Sequence, residues 1–242
     1  MGGGCVDLNK VEKELKKLYE NWELGNQIEN SSKYSAMFRM GFPNEYIDSE
    51  KPLLMYVGQE CLHGNKEKTQ AWIREYQNVQ RTKKRITNDW FDYGTNRSPF
   101  WNFFRRLSGL GINVLWNNLD KFHPANAQRL SWEDGVKFNS SYGDDKLSIL
   151  QREIKLLKPK VIVFVIGNGK YTASLASAFS VSEKKLMKYE PNPQEFVSEV
   201  SDVLGLENTI ALWTYHPAFL QRSGKYQEAL SIIEKQFKDR KV

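Results

Sequence analysis

Leu156-Leu157-Lys158-Pro159-Lys160-Val161-Ile162-Val163-Phe164-Val165-Ile166-Gly167-Asn168-Gly169-Lys170 is the stretch that decides the fold. Val161 to Ile166 is apolar without interruption and mostly β-branched, so it reads as a strand covered on both faces, as parallel strands are. Before it, Leu147, Leu150, Ile154 and Leu157 share one helical stripe. That helix must stop at Lys158, because the residue before a proline is pushed out of the α region. After it, glycines turn the chain into a second helical pattern from Tyr171 to Phe179. Helix, strand, glycine turn and helix make one unit of a parallel sheet with crossovers.

The same unit recurs outward from this point. Leu53 to Val57, Val114 to Trp116 and Ile210 to Trp213 read as further buried strands, with helical patterns at Glu67 to Gln80, Pro99 to Leu107, Phe196 to Leu204 and Tyr226 to Phe237. The predicted fold is therefore α/β, a three-layer α/β/α sandwich with a central, mainly parallel four-stranded sheet. Residues 51–242 form that domain. Residues 1–50 read as an N-terminal helix, with Leu8, Val11, Leu15, Leu18, Tyr19 and Trp22 on one stripe, packed as an appendage, and a connection from Gly25 to Pro52 where periodicity fades.

Composition narrows the function classes. The 242 residues carry 35 Lys+Arg against 29 Asp+Glu, a net charge of +6, with 40% hydrophobic and 26% charged residues. This is mildly basic and argues against a disordered or fibrous chain. Two cysteines and three histidines exclude a four-thiolate zinc or iron–sulfur site and a disulfide framework, and no metal or cofactor is expected. No run approaches eighteen apolar residues and no secretory signal is visible, so a cytoplasmic protein without membrane contact is expected. The start Met1-Gly2-Gly3-Gly4-Cys5 is close to a lipidation motif, but Val6 stands where Ser or Thr is wanted; a disordered tail or cloning scar is the plainer reading.

In such a sheet the ligand lies beyond the carboxyl ends of the strands. The four segments there are Gly58-Gln59-Glu60-Cys61-Leu62-His63-Gly64, Asn117-Asn118-Leu119-Asp120-Lys121-Phe122-His123-Pro124, Gly167-Asn168-Gly169-Lys170, and Thr214-Tyr215-His216-Pro217-Ala218-Phe219-Leu220-Gln221-Arg222. Every histidine of the chain falls just past a predicted strand. A carboxylate, a carboxamide and an imidazole on one rim form a credible catalytic set.

These segments resemble the uracil-DNA glycosylase superfamily. The first is similar to the G-Q-D-P-Y-H-G of the common branch, and the second and fourth to the T-N-x-x-K-C-x-P and Y-H-P-A-Y-L-L-R of the iron–sulfur branch. The resemblance runs from Pro52 to the last helix and implies a monomeric, metal-free DNA glycosylase that flips uracil or a related deaminated base and hydrolyses its N-glycosidic bond. Glu60 would orient the water and stabilise the cationic sugar, and His216 would donate to a carbonyl oxygen of the leaving base. Asn118, with Asn117 as the register alternative, would read the base edge through its paired donor and acceptor. Phe100 would stack on the base, and Gln59 would serve the pocket through its backbone. Leu220 would be a wedge in the minor groove, with Arg222 or Lys225 on phosphate and His63 on phosphate or the loop. Arg81-Thr82-Lys83-Lys84-Arg85, Arg105 and Arg106 would extend the backbone-binding surface.

The chain also departs from the pattern. Cys61 and Leu62 replace the family's Pro-Tyr, Glu60 replaces Asp, the cluster cysteines are missing, and Asp120 puts a carboxylate beside the DNA path that Lys121 would have to pair. Two other functions therefore stay open: a catalytically silent nucleic-acid-binding member of the same fold, and a nucleotide or nucleoside hydrolase using the same rim.

Overall fold

The stretch from Val161 is the middle of the sheet in a computed structural model that describes residues 8–40, 50–60, 98–126 and 128–240. Its strand, β3 (Val161–Phe164), pairs in parallel with β1 (Leu53–Gly58), and β1 pairs in parallel with β2 (Asn113–Asn118). On the other side β3 pairs in parallel with β5 (Ile210–Thr214), and the short β4 (Val197–Glu199) runs antiparallel to β5 at the edge. The order is β2-β1-β3-β5-β4. Leu54 to Val57 and Val161 to Ile166 are completely buried, as uninterrupted apolar runs require when helices cover both faces.

The flanking helices begin and end where local chemistry dictates. α3 (Pro99–Ser108) opens on a proline, whose missing N–H is no loss at a helix start. α4 (Trp132–Phe138) is capped by the Ser131 hydroxyl, which accepts from Asp134 N. α5 (Ile149–Leu157) starts with a reciprocal Ser148 and Gln151 capping box and ends on Lys158 in the left-handed region (φ 47°), with Pro159 next. α6 (Lys170–Ala178) follows β3 through Gly167 and Gly169, both at positive φ. After α7 (Glu183–Leu186) and β4, β5 leads into α8 (Pro217–Arg222) and α9 (Tyr226–Asp239).

Three expectations are corrected. Phe196 to Leu204 is β4 followed by turns, not a helix. Phe196, Val200, Val203 and Leu204 have helical spacing, but irregular backbone buries all four, and the Ser201 hydroxyl accepts from Ala211 N. The sheet therefore gains a fifth strand. The N-terminal segment is not an appendage either: α1 (Leu8–Glu20) lies on α5, and Leu15, Tyr19 and Trp22 are at most 3% exposed within the main core. The connection after it is structured as well, with α2 (Glu23–Glu29) and a segment in which Ser35 N and Phe38 N donate to the carbonyls of His123 and Lys121. His63, Cys61, Leu62, Glu67 to Gln80 and Arg81 to Arg85 lie outside the described residues. No described helix is long and apolar enough to cross a membrane.

Candidate functional site

Pairing of Gly58 with Asn118 brings the ends of β1 and β2 level. A side chain at Gly58 would force a shift, since a Cβ there would lie 2.7 Å from Asn118 Oδ1 and 3.0 Å from the Phe100 ring. Asn118 is 1% exposed, and its orientation is fixed. Trp116 Nε1 donates to its Oδ1 (3.0 Å), Asn117 Oδ1 accepts from its backbone N (2.8 Å), and its Nδ2 has no partner. A buried amide N–H without an acceptor is costly, and Asn118 Nδ2 shares that state with Trp22 Nε1, His123 Nε2 and Asn139 Oδ1 among the described residues.

Phe100, in the first turn of α3, is held over this point by Tyr56, whose hydroxyl donates to the Phe100 carbonyl (3.0 Å) and whose ring lies 4.8 Å away. On its other flank the His216 ring stacks on Phe100, with centroids 5.7 Å apart and planes 17° from parallel. His216 caps α8, and its Nδ1 accepts from Ala218 N (3.2 Å). That bond assigns the remaining ring proton to Nε2. Burial, reinforced by the Arg222 charge, lowers the His216 pKa to about 4, so at neutral pH the ring is an uncharged Nε2–H donor.

The carboxylates make a second cluster. Glu60 Oε1 accepts from Tyr171 OH (3.0 Å) and Lys170 Nζ (3.3 Å), and Oε2 from Leu130 N (3.4 Å). Asp120 is 1% exposed, takes a 2.6 Å bond from Asn139 Nδ2, and is pushed up to about 7 by burial and then by the neighbouring Glu60 charge. Lys121 does not pair with it. Its ammonium is buried beneath the sheet end, 2.8 Å from Glu153 Oε2 and bonded to Asn117 Oδ1, and Tyr19 OH donates to the other Glu153 oxygen. Burial lowers the Lys121 pKa, with Glu153 opposing the shift.

The structure thus brings Phe100, Asn118 and His216 together and puts Glu60 with Lys170, Tyr171 and Asp120. Asn117, the register alternative to Asn118, is a buried structural link to Glu153. Gln59 is tied to the neighbouring strand ends: its carbonyl accepts from Asp120 N (2.9 Å), and its side chain donates to the Ile166 carbonyl (2.7 Å). Leu220 is corrected as a wedge, because it is completely buried on the inner face of α8, while Phe219 beside it is 44% exposed. Arg222 is exposed at the end of α8, and Lys225 shares Glu228 (3.0 Å). Arg105 and Arg106 end α3, close enough to influence the Tyr226 hydroxyl. His123, the histidine past β2, is 2% exposed, and its Nδ1 pairs with the Pro124 carbonyl. Sequence reasoning missed Lys170 and Tyr171 as partners of Glu60; a cation directly after a glycine turn at a strand end was the available signal for Lys170.

No protein-family model and no curated protein sequence matches the chain.

Proposed function

We propose that the rim binds a planar nucleobase turned out of a DNA strand and hydrolyses its glycosidic bond, as a uracil-DNA glycosylase does. The observation that carries this is the unpartnered, buried Asn118 Nδ2, on a side chain that closes on Gly58 together with Phe100, whose ring in turn stacks with the neutral His216. A uracil edge offers O4 to that N–H, and its N3–H fits the free lone pair of Oδ1. Phe100 forms an aromatic wall. His216 Nε2–H meets the base oxygen on which charge grows as the bond breaks, without carrying a proton that must first be lost.

Glu60 completes the set with less freedom. A carboxylate has about four lone-pair sites, and Lys170, Tyr171 and Leu130 N occupy three contacts. One remains on Oε2 for a water. The same tether favours a second reading, in which the site binds a flipped base without cleaving it.

Incubation with uracil-containing single- and double-stranded oligonucleotides, followed by alkali, separates the two. Strand scission that disappears in Asn118→Ala and falls strongly in Glu60→Gln supports hydrolysis. Binding without scission supports the silent reading, and absence of both refutes the site.

A further inference from the structure

Beside His216 lies a second ring-lined place. Tyr215 directly precedes His216, and successive side chains of an extended segment point to opposite sides. His216 stacks on Phe100, whereas Tyr215 packs against Phe219 with ring centroids 4.6 Å apart. With Pro193 and Phe196 these rings line an apolar cavity of about 310 Å³, and Lys225 Nζ sits 5.2 Å over the Phe196 ring. The volume is at the small end for ligand sites, which suits one planar ring better than a larger molecule. One cation lines it, Lys225, which also pairs with Glu228 at 3.0 Å. An exposed Phe in an apolar slot with a cation at the rim matches an aromatic platform for a base, with the adjoining phosphate drawn to Lys225.

We propose that this slot holds a second nucleobase, the neighbour of the flipped one on the same strand, and that the protein consequently prefers single-stranded nucleic acid. The proposal rests on the base-binding reading of the Phe100, Asn118 and His216 site. A neighbouring base reaches the slot only when it is unstacked and unpaired, a cost already met in a single strand.

The test uses the full chain with two probes, a labelled uracil-free oligothymidine for affinity and a single strand with one uracil for excision. Phe219→Ala is expected to weaken oligothymidine binding roughly fivefold to a hundredfold. Phe219→Trp restores it, and matching thermal melts exclude misfolding. Removing the base on one side of the uracil weakens the wild type by a similar factor and leaves Phe219→Ala unchanged. Loss of binding in Phe219→Ala with no uracil release by the wild type keeps the slot and refutes the glycosylase reading. Normal uracil release with affinity independent of Phe219 refutes the slot alone. A wild-type dimer that dissociates in Phe219→Ala while DNA affinity is unchanged assigns the rings to a second copy of the chain and also overturns the proposal.

Discussion

The buried pair of Lys121 and Glu153 should respond unequally to removal of its two partners. Both side chains are at most 1% exposed. Breaking such a pair typically costs about 3–5 kcal/mol, because the remaining charge is uncompensated. In Lys121→Met, Glu153 still accepts from Tyr19 OH and from Asn117 Nδ2, so the loss belongs near the lower end. In Glu153→Leu, Lys121 keeps Asn117 Oδ1 and the Phe38 ring, while Tyr19 OH and Asn117 Nδ2 lose their carboxylate acceptor, each worth about 1–3 kcal/mol. That loss belongs at the upper end or beyond. For a chain of this size each kcal/mol shifts the midpoint by about 2–4 °C, so Lys121→Met should melt roughly 6–12 °C low and Glu153→Leu further still. The double variant removes both charges and should be clearly more stable than the sum of the single losses. Urea titration followed by tryptophan fluorescence measures all three. A milder Glu153→Leu, or strict additivity, would refute the assignment of Glu153 as the shared acceptor of this network.

Gly58→Ala should displace Asn118 and Phe100, lowering uracil affinity at least tenfold while overpacking costs about 1–3 kcal/mol; isothermal calorimetry and melts read the two effects. The His216 ring binds its proton at about 4 in the fold against 6.5 ordinarily, so the unfolded chain takes up protons first as pH falls. Stability from this group is therefore present above about pH 6.5 and lost toward pH 4, and His216→Asn should flatten that limb of a pH-resolved melt. Asp120 has the opposite sign. Its folded carboxyl keeps a proton up to about pH 7, whereas the ordinary value is 3.8, so its contribution declines as pH rises across that interval. Asp120→Asn should gain more on the wild type at pH 8 than at pH 4, and an equal change at both would contradict the burial of this group.

Uninterrupted apolar runs made the four parallel strands legible, because nothing but burial on both faces tolerates Val161 to Ile166. β4 was not legible: three residues carry no period, and the apolar spacing around it imitates a helix. The role of the first forty residues was hidden for another reason. Their stripe shows that α1 buries one face, but only the Tyr19 to Glu153 bond reveals against what. At the rim, strand-end position marked the four segments, and the resemblance singled out Glu60, Asn118 and His216 within them. Their division into two clusters depends on Lys170, Tyr171 and Leu130, which come from other parts of the chain. Leu220 and Phe219 differ only in which side of α8 faces inward, and a six-residue helix opened by His216-Pro217 offered too short a pattern to tell.

The shortness of β4 has a consequence for how the molecule meets its own copies. An outermost strand invites further strands through its open row of amide and carbonyl groups. Here that row is only Val197 to Glu199 long. Its last residue, an exposed carboxylate, is gripped by both terminal nitrogens of Arg240 at the end of α9. An incoming strand would have to displace this Arg240–Glu199 pair to gain very few backbone bonds, which disfavours edge-to-edge pairing at β4.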